Sequence, residues 1–429
     1  MFFSSWLRKG TSNARAARPA APRHLSRRFR PSLEVLEDRA VPSTVYVSPM
    51  TPDGTPHSLR GVLASLNPNE ANTILLTPGT LQLTRGQLQI NGMSDLTIKP
   101  LLSDPVTIDG GGLSRDFAID GGSVTLSGLT ITGGTAFSGG GGILANHATI
   151  TINSCTVSGN TNSAVAAGFS NVTINSSTFS GNSGGAIAVG TSTLTVGSST
   201  LSGNTSLGGG AIAAVLSSVT ITSSTLAENR TYVGGAIYSF DTAVTITSST
   251  ISGNVAYDRA GGIYAHGGTL TVSSSTLSDN SARLSGGGIL SQYGTVTITS
   301  STLTHNSADY GGGISTFSGT LTITASTLSE NTARREGGGI DVVSSSTVTI
   351  TSSTLSGNSA GTYGGGIFVG YYSPVTITSS TVTANQAQVG GGIYNLAGSV
   401  FLDAATLAAL TGNFASLSDP DIFGPFALL

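Results

Sequence analysis

The chain has 429 residues, 59 of them Gly, only 9% charged, with a formal net charge of −3 at pH 7. Its single Cys excludes an internal disulfide framework. No apolar run reaches the roughly 18 residues at which a transmembrane helix becomes plausible, so the composition fits one long Ser/Thr- and Gly-rich domain behind a leader.

The leader, residues 1–43, differs in kind. Lys9, Arg8, Arg15, Arg18, Arg23, Arg27, Arg28, Arg30 and Arg39 stand against Glu34, Glu37 and Asp38, a net of +6, while the rest of the chain has nine basic and eighteen acidic residues, a net of −9. A basic arm suits nucleic acid by charge. No folded module accompanies it, so no nucleic-acid partner is expected. The apolar core of an ordinary signal peptide is missing as well. The run Pro31, Ser32, Leu33, Glu34, Val35, Leu36, Glu37, Asp38, Arg39 resembles the Leu-Glu-x-Leu-Glu-x-Arg segment near the start of many planctomycete exported proteins. The leader is expected to be disordered and to direct export, and the resemblance implies an extracytoplasmic destination, secreted or at the cell surface.

Residues 44–72 carry one helix candidate. Leu59, Val62, Leu63 and Leu66 fall on one helical face, and Asn67-Pro68 ends the run. Such a helix is expected to cover the open end of a sheet, where unpaired strand edges invite association. Less regular strand patterns follow around Ile74–Leu76, Leu96–Ile98 and Val124–Leu126.

A repeat then dominates. An Asn closes a Ser/Thr-rich half at Asn160, Asn182, Asn204, Asn229, Asn254, Asn280, Asn306, Asn331, Asn358, Asn385 and Asn413, in steps of 22 residues at first and 25 to 28 later. A Gly-rich half closes on an aliphatic residue from Ile143 to Ile393. A fixed period of this size is the signature of a solenoid. Within one copy, Val244 and Ile246 alternate with Thr245 and Thr247 as in a half-buried strand, Ser248-Ser249 bends the chain, Thr250-Ile251 resumes it, and Gly261-Gly262-Ile263 opens a further strand. Three short strands per copy make one coil of a parallel β-helix. About thirteen coils are expected over 73–415, with 416–429 as a tail.

Energetics require the stacking. One coil buries four or five aliphatic side chains at about 1.5–3 kcal/mol each, whereas ordering its residues costs on the order of 25–50 kcal/mol. A lone coil cannot fold; stacked coils share backbone pairing and one core. The Asn column reads as structural, each amide bonding turn backbone and the Asn of the next coil. Cys155 stands at a repeat Ser position and reads as inert.

Phe179 to Asn182 with Gly184, Gly185, Ala186 and Ile187 resembles the Phe-x-x-Asn and Gly-Gly-Ala-Ile repeats of chlamydial polymorphic outer-membrane proteins. The resemblance implies a right-handed parallel β-helix at a cell surface. With 16 residues after Asn413, no membrane-spanning barrel is expected.

Chemistry is sparser. Lys is absent from the regular coils and the acids are scattered, which speaks against paired carboxylates acting as acid and base. The five His show no metal-ligand spacing, so neither metal nor cofactor is expected. Loops between Asn and Gly carry the candidate binding residues: Tyr257, Asp258 and Arg259; Arg283; Asp309 and Tyr310; Arg334, Arg335 and Glu336; Tyr363. A second line, Phe240, His266, Tyr293, Phe317 and Tyr371, follows the Gly-rich strand. The expected function is a non-catalytic surface or adhesive protein with a polysaccharide or protein partner. The alternative is a carbohydrate-active enzyme of the pectin-lyase type.

Overall fold

A computed structural model describes residues 43–429. The leader expected over 1–43 therefore lies, except for Ser43, outside the described residues. The described chain is an all-β parallel solenoid with three sheets, of 27, 14 and nine strands, and two short helices. Stacking is residue on residue: Ile237, Ile263, Ile289, Ile314, Ile340, Ile367 and Ile393 are successive partners in parallel register.

A middle coil consists of Ile237–Phe240, Ala243–Thr247, Thr250–Ser252 and Val255–Arg259. The first two strands join the large sheet, the third the 14-stranded sheet, and the fourth the nine-stranded sheet. The repeat pattern anticipates three strands; the fourth lies in the stretch read as a variable loop. It forms because the second residue after each Asn turns inward and is small. Ala256, Ala282 and Ala308 are buried together, as are Ala333, Ala360 and Ala387. Alternation then points the neighbouring residues outward.

The second sheet contributes one strand to each of fourteen coils, and the paired strands beyond them bring the solenoid to about fifteen turns where about thirteen are expected. Pairing continues past both ends: Ser43–Val47 pairs with Ala71–Leu76, and Ile422–Phe423 and Ala427–Leu428 pair with Ile393–Asn395 and Ser399–Leu402. Helix α1, Leu59–Ser65, is capped by the Ser58 hydroxyl, which accepts from the Gly61 amide. Its Leu59, Val62 and Leu63 join an apolar core that runs unbroken to Leu410, with Leu66 partly buried against it.

Two polar columns run through this interior. In the first, the backbone N–H of each Asn from Asn160 to Asn385 donates to Oδ1 of the Asn one coil on, and its Nδ2 donates to that same oxygen. At the Asn254–Asn280 step these distances are 3.1 and 2.9 Å. Nδ2 of Asn254 also donates to the carbonyl of Leu226 at 3.0 Å. All eleven side chains are buried, and every side-chain Nδ2 has an acceptor, as burial demands.

The second column stands where the repeat suggested only a bend. Ser248 takes the left-handed region at φ 48°. Its neighbour Ser249 is buried; the Ser249 amide donates to Oγ of Ser275 at 3.1 Å, and its own Oγ donates to the Thr247 carbonyl at 2.8 Å. This hydroxyl ladder extends to Thr406 of helix α2, Ala404–Ala408, whose Oγ1 accepts from the Ser380 amide. Cys155 occupies the same column, buried, and burial pushes its thiol up to about 11.

Gly is required where the fourth strand returns to the first. Gly311 has φ 61°, and a methyl on Gly312 would meet the Gly338 carbonyl at 2.5 Å. Only the missing side chain lets successive turns stack this closely.

Candidate functional site

The outer faces of the first and fourth strand columns meet in a concave corner along the middle and later coils. The fourth strands present the charged residues. Tyr257, Asp258 and Arg259 lie in Val255–Arg259, Asp309 and Tyr310 in Ser307–Tyr310, and Arg334, Arg335 and Glu336 in Thr332–Glu336. Arg283 follows the two-residue strand Ser281–Ala282. Tyr363 bridges Glu336 on one side and Val389 on the other. The stripe is thus a sheet surface, not a set of independent loops.

The structure joins some of these residues and leaves others single. Arg334 Nη1 lies 3.3 Å from Asp309 Oδ1, and Arg335 Nη1 donates to the Tyr310 hydroxyl at 3.1 Å while its guanidinium sits 5.7 Å from that ring's centre. Asp258 and Arg259 approach to 3.6 Å within one strand. Arg283 is exposed, as is Tyr257.

The floor of the corner is the outward residue after each repeat Ile. Tyr238, Tyr264, Leu290, Ser315, Asp341, Phe368 and Tyr394 are consecutive register partners. This column is absent from the sequence reading. The signal that would have found it is the position immediately after each repeat Ile, where aromatics recur. Tyr363 of the stripe packs on Tyr394 of the floor with ring centres 4.6 Å apart, and Tyr394 stacks on Phe368 at 5.6 Å.

The second predicted line is a ladder only in part. Phe240 stacks on His266 at 4.6 Å, His266 meets Tyr293 edge-on at 5.4 Å, and Tyr293 meets Phe317 at 5.5 Å. Val343 is the next register partner of Phe317, so Tyr371 does not join. Tyr371 and the still more exposed Tyr372 instead border a cleft of about 540 Å³, with Glu336, Phe368 and Leu396 among its other walls.

Electrostatics single out this cleft. Burial raises the Glu336 carboxyl above its ordinary range, against the opposing pull of the Arg335 charge. Asp341 is pushed up to about 7, first by burial and further by the Glu336 charge, while the Ser315 hydroxyl donating to its Oδ2 at 2.9 Å opposes the shift. Asp341 is buried and turned toward Ser315, so Glu336 is the carboxylate that lines the cleft. The arrangement offers flat apolar ring faces beside hydrogen-bonding charges, the combination that holds a polyhydroxylated ring. Among the described residues, no group of three or more His, Cys, Asp or Glu is placed to hold a metal ion, and no helix is long and apolar enough to cross a membrane.

A repeating parallel coil with one outer corner decorated and the interior filled by side-chain ladders defines a β-helix. Residues 117–277 and 236–403 match the right-handed β-helix region, and the chain belongs to that family. No curated protein matches the sequence. Among solved structures it is similar to the pectate lyase Pel9A, with 16% identity over 80% of each chain and a TM-score of 0.37. It is also similar to the periplasmic alginate epimerase AlgG, with 11% identity over 90% of this chain and 83% of that one and a TM-score of 0.40. A mannuronic-acid-specific family 6 polysaccharide lyase from human gut microbiota shares 10% identity over 78% of this chain and 86% of its own, with a TM-score of 0.37.

Proposed function

We propose that the protein is an exported, non-catalytic β-helix that binds an extended glycan along the corner between its first and fourth strand columns. The observation that carries this reading is the register of the corner. Tyr310, Glu336 and Tyr363 are consecutive partners across adjacent coils, so side chains recur at the strand spacing of roughly 4.8 Å. A long ligand then gains many weak contacts at little extra ordering cost. Export rests on the leader's opposite charge and its resemblance to exported planctomycete proteins, and a surface or adhesive role follows from both. A glycan array probed with the whole protein, followed by titration of any hit against Tyr310→Ala and Tyr363→Ala, tests the reading. Retention on a set of related glycans that both substitutions weaken supports it; full affinity in both variants removes the corner as the site.

The rival reading, an enzyme acting on a polysaccharide, is favoured by one observation: Glu336 faces the cleft with its carboxyl held above the ordinary range. Steady release of unsaturated or reducing ends that vanishes in Glu336→Gln would establish the rival.

A further inference from the structure

The second strand of each coil turns alternate residues outward, and the central outward residue is Thr in every coil from Thr125 to Thr376. Thr245, Thr271, Thr297, Thr322, Thr349 and Thr376 are successive register partners. No pairing along this ladder, from Thr125 onward, contains a register shift. The fourth-strand ladder, by contrast, shifts at two places. In the later coils Thr295–Thr299, Thr320–Thr324 and Thr347–Thr351 each turn three Thr outward.

The face is also uncharged. Its outward positions from Ser123 to Thr378 hold Thr, Ser, Asn, Ala, Gly and Pro alone. Exposure does not demand this. Thr suits a half-exposed strand, yet the fourth strands of the same coils expose Arg230, Tyr257 and Arg334. Long and charged side chains are kept off the second ladder specifically.

Thr at such a position is a stiff group. Two heavy substituents on Cβ restrict χ1, so identical surroundings repeat one hydroxyl position coil after coil. The sheet sets the intervals, roughly 4.8 Å between coils and about 6.6 Å between alternate residues of one strand. Among the described residues, no central-column hydroxyl bonds to protein; in the flanking column Thr247 meets Ser273 at 3.1 Å and Thr351 meets Thr378 at 3.2 Å. Water therefore satisfies the central column and inherits its two-dimensional repeat. The oxygen rows on a face of hexagonal ice recur at closely similar intervals in two perpendicular directions. A charged side chain would orient water about itself and break that repeat, which accounts for the composition of the face.

We infer that the Thr face of the second-strand ladder adsorbs to ice. The ligand is the water lattice itself, held by many weak contacts over a long plane, so the face needs no pocket. It occupies the second strand column, whereas the glycan corner lies between the first and fourth. Neither reading rests on the other.

The test grows a single ice crystal from a solution of the fluorescently labelled full chain and measures recrystallisation of fine ice in its presence. The crystal should take up the label and recrystallisation should be suppressed, with serum albumin at equal concentration doing neither. Thr322→Lys places a charge in the central column and should require roughly tenfold more protein for the same suppression. Tyr232→Lys adds the same charge to the nine-stranded sheet, at an exposed side chain, and should match the parent. Thermal melting shows which variants fold. A parent that neither adsorbs nor suppresses recrystallisation overturns the proposal, as does full potency in a folded Thr322→Lys protein. Should Thr322→Lys not fold, Thr297→Tyr, whose ring stands above the plane, takes its place, and full potency there overturns the proposal equally.

Discussion

The backbone amide and the side-chain Nδ2 of Asn280 both donate to one atom, Oδ1 of Asn306, at 3.1 and 3.0 Å. A third bond runs from the same Nδ2 to the Ile251 carbonyl at 2.9 Å, across the previous coil. One side chain thus ties three coils together, and its loss takes the shared acceptor from both the backbone amide and Nδ2 of Asn254.

Asn280→Ala should therefore cost on the order of 1–3 kcal/mol, the penalty of unpaired buried groups. Thr271→Ala, on the outward face of a strand in the same coil, should cost a few tenths at most. Urea midpoints of the two variants provide the check; coincident midpoints would remove the column from the list of stabilising features.

The hydroxyl ladder predicts a smaller but definite effect. In Ser275→Ala the Ser249 amide loses its acceptor, at a cost of about 1–2 kcal/mol. Ser274→Ala removes a hydroxyl from the adjoining left-handed residue, φ 48°, and leaves the ladder intact. The first variant should melt below the second, and the reverse order would show that the ladder is dispensable.

Stability should fall as pH rises through neutrality, with Asp341 as one cause. Its carboxyl is raised from 3.8 to about 7 in the folded chain. It binds its proton more tightly folded than unfolded, so its contribution is complete below pH 4 and is lost as pH climbs through about 7. Asp341→Asn keeps an acceptor for the Ser315 hydroxyl and carries no charge. It should be more stable than the parent by on the order of 1–3 kcal/mol at alkaline pH, with the gap closing toward pH 4. Parallel denaturation curves for the two proteins across this range would contradict the assignment.

Ligand binding at the corner should depend on salt through Arg334 and Arg335. Both are exposed, so their attraction for an acidic glycan is screened over about 10 Å at 0.1 M salt. For an acidic glycan, replacing both by Ala should weaken binding most at low ionic strength. A neutral glycan should show little change, and equal loss at all salt concentrations would point to a packing role.

The solenoid was legible because its causes are periodic. Val244 and Ile246 face inward and the Asn spacing marks each turn, so both columns can be read along the chain. The fourth strand was not read, since its only inward signal is a small residue two places after each Asn, as in Asn254-Val255-Ala256 and Asn306-Ser307-Ala308. Alanine there looks like filler until the stacked coils show it buried. The corner was missed for a related reason. Glu336, Tyr371 and Phe368 become neighbours through stacking of residues some thirty positions apart, and no local pattern encodes that adjacency.

The one-way sense of the Asn column makes the number of turns a free variable. Each member hands its donors to the next coil and offers its oxygen to the one before, so every coil consumes and supplies the same groups. Removing residues 255–280, which would join Asn254 to Ser281, takes out 26 residues and one complete turn while the remaining amides regain identical partners. A cut that is not a whole turn strands donors on both sides of the join. Only the two termini of the column are irreplaceable: the Gly134 amide that feeds Asn160, and the Asp421 carboxylate that receives the last Nδ2, from Asn413, at 2.9 Å. A gene encoding such a chain can lengthen or shorten its product by unequal exchange in whole-turn steps, and the reach of its outer face scales with it.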